Sequence, residues 1–250
     1  MSQGSRLLLE ENLKELKLSV MSRSLDMYVR QARENNLDYE EFLVNLTDYE
    51  LQIRNENRLK RRLKEAKFPL IKPLEAFRFD LTPDLDSHLI QELVSGVYLQ
   101  SARNILFIGR SGTGKTHLAI GLGIAACNEG KRVRFVTGCA LINELVEARD
   151  EKKLSRLVKR YASYDLLILD ELGYVPFTKE GAELLFQILA ERHERKSVII
   201  TSNMGFADWT QIFGDPNLTA ALLDRVTHKA HIINCIWDSY RLRETLQNKQ

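Results

Sequence analysis

Short apolar runs separated by longer amphipathic stretches organise residues 104–236. Ile105-Leu106-Phe107-Ile108 is the first, and a continuous run of this kind suits a strand buried on both faces. The strand pattern spans 104–108, 133–136, 165–170 and 197–201, with a fifth run from Ala230 to Ile236. A helix predicted after the first strand ends at Gly130, a residue type favoured just past a helix C-terminus. Two helical patches, Leu141 to Arg149 and Glu151 to Tyr161, separate the second and third strands, and Leu218 to Arg225 is a further helix. Strands alternating with helices predict an α/β domain, doubly wound around a five-stranded parallel sheet.

The N-terminal part has only the helical period. Leu9, Leu13 and Leu16 share one spacing, and Met21, Leu25, Tyr28 and Ala32 share another. Asp38-Tyr39-Glu40-Glu41 is a start signal leading into Phe42, Leu43 and Leu46. Thr47-Asp48-Tyr49-Glu50 reads as a capping box opening a separate helix over 51–67, with Leu59, Leu63 and Ala66 on one face. Residues 1–67 are therefore expected to form a small all-helical domain. Pro69 and Pro73 end it, and 68–82 is a linker. Thr82 as N-cap and Pro83 at the first helical position predict another helix ending near Gly96.

The chemistry starts between the first strand and its helix. Gly109-Arg110-Ser111-Gly112-Thr113-Gly114-Lys115-Thr116 matches the G-x-x-x-x-G-K-[ST] phosphate-binding loop in its strand–loop–helix setting, with His117 next. Glycines let backbone N–H groups curl around phosphate oxygens, and the helix N-terminus adds positive character. Lys115 is placed to neutralise the β- and γ-phosphates, and the Thr116 hydroxyl to ligate Mg²⁺. Asp165-Leu166-Leu167-Ile168-Leu169-Asp170-Glu171 ends a strand in two carboxylates: Asp170 for Mg²⁺, and Glu171 as general base on the attacking water. Asn203, leaving the 197–201 strand, is the candidate for positioning that water; the alternative is an Asn capping the next turn. No Asn-Lys-x-Asp guanine-reading motif occurs, which favours ATP over GTP. Phe77 and Phe79 in the linker can pack on an adenine ring or, more commonly, in a core.

Beyond Lys115 and the metal, none of these groups supplies a cation for the charge developing at the γ-phosphate. Arg225, at a helix end, can provide one from a neighbouring subunit, and Arg241 or Arg243 can touch the nucleotide within the same subunit. ATP held between subunits implies head-to-tail packing into a ring or helical filament.

Composition narrows the setting. The chain has 250 residues, 44% hydrophobic and 28% charged, enough for one α/β domain and a smaller appendage. No apolar stretch approaches the ~20 residues that cross a membrane, and the N-terminus lacks a signal-peptide core, so the cytoplasm is the expected compartment. Cys127, Cys139 and Cys235 have neither disulfide-framework nor metal spacing, and His228 and His231 lack partners for a zinc site. A net charge of +2 hides an asymmetry: residues 1–50 carry six Lys/Arg against ten Asp/Glu, and 51–67 carry seven against two. Arg54, Arg58, Lys60, Arg61 and Arg62 on that second segment suit sequence-independent contact with DNA phosphates, or else form a solvated face. Lys152, Lys153, Arg156, Lys159 and Arg160 form a second such cluster, with the same two readings.

Taken together, these motifs resemble an IstB-type insertion-sequence helper ATPase of the AAA+ superfamily, in the clade of replication initiators and helicase loaders. The resemblance rests on 109–119, 165–174, Gly-Ala-Glu-Leu-Leu-Phe-Gln at 181–187, Ile-Ile-Thr-Ser-Asn at 199–203, Ile-Phe-Gly-Asp at 212–215, Ala-Ala-Leu-Leu-Asp-Arg at 220–225 and Ser-Tyr-Arg-Leu-Arg at 239–243. It implies ATP and duplex-DNA binding, oligomers, and recruitment of a cognate transposase to target DNA. It also implies Asn203 as first sensor and Arg225 as a finger acting in trans. Residues 83–250 would be the ATPase domain without most of the helical lid found in many relatives, which bears on Arg241 as second sensor. A helicase loader would share the core and differ in its N-terminal partner. A metabolic P-loop kinase would need an acceptor pocket and lid, for which no segment stands out.

Overall fold

The computed structural model describes residues 3–240, which divide at Arg61/Arg62 into two compact units. In the first unit lie α1 (Gln3–Glu15), α2 (Ser19–Glu34) and most of α3 (Tyr39–Ala66). The helical periods converge as expected: Leu13, Met21, Leu25 and Leu46 are buried together, with Leu9, Tyr28 and Phe42 against them. Leu16 follows the end of α1 and is exposed.

The expected break at Thr47–Glu50 does not exist. One helix runs from Tyr39 to Ala66, because no glycine or proline interrupts 39–66. The capping box is Asp38 and Glu41, whose carboxylates accept from each other's amides at 2.8 and 3.2 Å. Thr47 turns its hydroxyl back to the Leu43 carbonyl at 2.8 Å, a bond made inside a helix. Glu50, 4% exposed, accepts the Met21 amide at 2.7 Å in the first turn of α2, and Arg54 Nε at 2.6 Å. Burial alone would raise the Glu50 carboxyl; these donors outweigh it and hold it below its usual range.

In the second unit, two 3₁₀ turns (Leu74–Ala76 and Phe79–Leu81) occupy the linker. The next helix, α4 (Ser87–Val94), starts later than the Thr82-Pro83 signal predicts. Thr82 instead closes the preceding turn, its hydroxyl on the Phe79 carbonyl, and Asp86 caps α4 by accepting the His88 and Leu89 amides. Asp86 satisfies two of the free amides at the start of α4. Gly96, at φ +74°, turns the chain into α5 (Val97–Gln100).

The remaining elements are β1 (Ile105–Gly109), α6 (Lys115–Asn128), β2 (Val133–Thr137), α7 (Gly138–Asp150), α8 (Leu154–Ala162), β3 (Leu166–Leu172), α9 (Lys179–Arg192), β4 (Ser197–Ser202), α10 (Trp209–Phe213), α11 (Pro216–Thr227) and β5 (His231–Cys235). All five strands pair in parallel, in the order β2-β3-β4-β1-β5. Alternate side chains serve opposite faces: Leu106, Ile108, Leu167, Leu169, Val198 and Ile200 join α7 to α11 in one core cluster. The intervening side chains face α6, where a Cβ on Gly123 would stand 2.7 Å from Ile168. The order puts β4 between β1 and β3, so the loop after β1 and the carboxyl ends of β3 and β4 share one rim, where α/β sheets hold ligands.

At the opposite ends of the strands, Arg192 is 1% exposed and spends its guanidinium on main chain. It donates to the carbonyls of Tyr161 (2.6 Å), Tyr164 (3.0 Å) and Ser197 (2.7 Å), tying α8, α9 and β4 together. Burial lowers its pKa to about 10.

Candidate nucleotide site

The turn from β1 into α6 is built on glycine geometry. Gly114, at φ +89°, precedes the first residue of α6, and a Cβ there would stand 2.7 Å from the Phe77 ring. Lys115 is 6% exposed, and its ammonium donates to the Gly109 and Arg110 carbonyls at 2.7 and 2.6 Å. Gly109 and Arg110 thus stand behind the loop, with Arg110 exposed. Ser111, Gly112, Thr113, Gly114, Lys115, Thr116 and His117 line a cavity of about 380 Å³, within the range of small-molecule sites.

Asp170 is buried and Glu171 exposed where the ladder of β3 with β4 shifts register between Leu169 and Leu172. Asp170 is 4% exposed and accepts Thr116 Oγ1 at 2.9 Å. A hydroxyl and a carboxylate, both hard oxygens, fit a magnesium ion. Glu171 is exposed to the cavity and adopts φ +56°, a left-handed conformation that costs a non-glycine residue about 1 kcal/mol. Thr201 holds this shape: its hydroxyl accepts the Glu171 amide at 2.9 Å and donates to Asp170 Oδ1 at 2.6 Å. Asn203, exposed just beyond β4, lines the same cavity.

Phe77, Arg78, Leu81, Thr82, Trp237 and Tyr240 also line the cavity. Phe77 is buried and also lines the cavity, edge-on to His117 at 5.2 Å between ring centres. His117 Nε2 lies 2.9 Å from the Pro73 carbonyl, so this ring also ties α6 to the linker. Arg78 is held by Asp80 through two bonds, at 2.8 and 2.7 Å.

Arg225 is not among the residues lining this cavity. It lies 4.5 Å over the Phe186 ring of α9 and donates to the Ala221 carbonyl. Arg241 falls outside the described residues.

The two basic clusters are used unequally. On α3, Arg58, Lys60 and Arg61 are exposed and Arg62 is half-buried, whereas Arg54 is committed to Glu50 and the Lys17 carbonyl. Lys152 and Lys153 precede α8, and Lys153 pairs with Glu151 at 2.7 Å. Arg156 and Lys159 are exposed on α8, and Arg160 is engaged by Glu144. Among the described residues, no helix is long and apolar enough to cross a membrane.

Sequence reading missed Thr201 and Trp237. Thr201 carried one signal, a polar side chain ending the apolar run Val198-Ile199-Ile200; Trp237 carried none.

A family model described as IstB-like ATP binding protein matches residues 11–248. The chain is 39% identical, over 94% of its length and 89% of the relative's, to a protein named for ATP binding in insertion sequence IS21 of Pseudomonas aeruginosa. Its identity to the corresponding IS232 protein of Bacillus thuringiensis is 38%, over 94% of both chains. Among solved structures, a DNA replication initiation factor aligns with TM-score 0.57 at 20% identity, covering 71% of this chain. AMPPCP-bound DnaA from Aquifex aeolicus aligns with TM-score 0.57 at 21%, again over 71%. This chain spans 53% and 55% of those two structures, and the likeness is one of fold. By sequence, over nearly its whole length, the chain belongs to the IstB-like ATP-binding protein family of insertion sequences.

Proposed function

We propose that this chain is a cytoplasmic, ATP-hydrolysing helper of an insertion sequence, which assembles on duplex DNA and recruits or activates its transposase. The observation that carries the reading is the single cavity shared by the phosphate loop, Glu171 and Asn203, with Asp170 against Thr116 behind it, in a chain of this family. Loop amides and Lys115 bind the β- and γ-phosphates, the lysine exchanging its carbonyl partners for phosphate oxygens. Thr116 and Asp170 would hold a magnesium ion, which would neutralise phosphate charge. Glu171 takes a proton from water as that water attacks the γ-phosphorus, Asn203 orients it, and the bond from the γ-phosphorus to the β–γ bridging oxygen breaks so that ADP leaves. Arg225 of a neighbouring copy stabilises the charge that develops, which makes the oligomer part of the site. Residues 1–67 act as a DNA- and partner-binding domain, 68–82 as a linker and 83–250 as the ATPase domain. Arg58, Lys60, Arg61 and Arg62, with Lys152, Arg156 and Lys159, grip phosphates without reading bases.

The test is retention on immobilised duplex DNA. With ATP and magnesium, the protein should hold its cognate transposase on DNA of any sequence. Failure to retain the transposase, with capture of a replicative helicase instead, would assign the chain to helicase loading.

A further inference from the structure

We propose that Trp237–Tyr240, the segment following β5, is a brace that presets the phosphate loop for its ligand, with Trp237 as the positioning residue. This rests on the nucleotide reading above and adds to it a group outside the loop that decides how well the loop binds.

The brace makes two hydrogen bonds to successive peptides of the loop. The Trp237 indole Nε1–H donates to the Thr113 carbonyl at 2.8 Å, and the Tyr240 amide donates to the Gly112 carbonyl at 2.9 Å. No peptide among the described residues is cis, so carbonyl and N–H of one peptide point in opposite directions. Fixing the Gly112 and Thr113 carbonyls toward the brace therefore turns the Thr113 and Gly114 amides away from it, toward the phosphates. A loop peptide without such a partner is free to flip, and a carbonyl turned inward would repel a phosphate oxygen.

The fit is close. Gly112 sits at φ +83°, and a Cβ there would lie 2.0 Å from Ser239 Oγ. The reach is set by sheet register: Gly109 pairs with Cys235, two residues before Trp237, so the loop and the brace leave adjacent strands side by side. Trp237 is 7% exposed, and an indole can only donate, so its bond has one polarity. Trp237 and Tyr240 also line the cavity, which puts the brace against the ligand as well as the loop.

Trp237→Phe keeps the aromatic packing and removes the donor. In the ligand-free protein, amide hydrogen exchange across 110–116 should accelerate while exchange in β3 and β4 stays as in the wild type. Affinity for a fluorescent ATP analogue should fall about five- to tenfold, the effect of one hydrogen bond. Unchanged loop exchange in Trp237→Phe, or acceleration spread equally over the sheet with a fall in melting temperature, overturns the brace. The two readings separate cleanly. If the wild type binds no nucleoside triphosphate, the nucleotide reading fails, and exchange of the ligand-free loop still decides the brace.

Discussion

Replacing Thr201 with valine removes one hydroxyl and almost no volume, yet it cuts both bonds that hold the two carboxylates of β3. The 2.6 Å bond to Asp170 is to a charged acceptor, worth about 1.5–3 kcal/mol, and the Glu171 amide loses its partner at a cost of about 1–3 kcal/mol. The amide bond also helps hold Glu171 at φ +56°, so its loss lets the backbone relax and swing the carboxylate off the attack line. A transition-state loss of about 2.7 kcal/mol corresponds to about a hundredfold in kcat. Steady-state ATP hydrolysis and equilibrium binding of an ATP analogue, measured on the same preparation, should show that fall in kcat with affinity within threefold. Thr201→Ser keeps the hydroxyl and should recover most of the rate. A valine variant that hydrolyses ATP within twofold of the wild type refutes the argument, as does one that loses binding and turnover together.

Lys115→Ala should abolish nucleotide binding, whereas Glu171→Gln should bind ATP, hydrolyse it very slowly and accumulate on DNA; normal turnover in the glutamine variant removes Glu171 as base. Arg225→Ala should bind ATP nearly normally and hydrolyse it poorly, and mixing it with Lys115→Ala should restore part of the activity. Inactive mixed oligomers, shown to co-assemble, would rule out action in trans. Neutralising Arg61 and Arg62 together should weaken binding to all duplexes alike and lower the salt slope by about one per lost contact, read by titration from low to high salt. Arg192→Met leaves several main-chain carbonyls without a donor in a site that is 1% exposed, and should cost about 2–4 kcal/mol in urea unfolding.

Local chemistry made much of this protein legible before any fold was known. Continuous apolar runs of strand length suit strands covered on both sides, and the spacing of Gly109, Gly114, Lys115 and Thr116 states a phosphate cradle within eight residues. Where the signal depended on competition between neighbours, sequence alone misled. Thr47 and Asp38 both look like helix starts, and in the fold the helix runs on through Thr47 while Glu50 is taken up by the first turn of α2. Thr82 and Asp86 both look like caps, and the turn at Phe79–Leu81 takes the first. The positioning residues were beyond sequence for a simpler reason. Thr201 meets Glu171 across 30 positions and Trp237 meets Thr113 across 124, contacts that exist because strand order places β4 beside β3 and β5 beside β1. A motif records which groups touch the ligand, since those lie close together in the chain. The groups that aim them arrive from other strands, and only the closed sheet brings them within hydrogen-bonding reach.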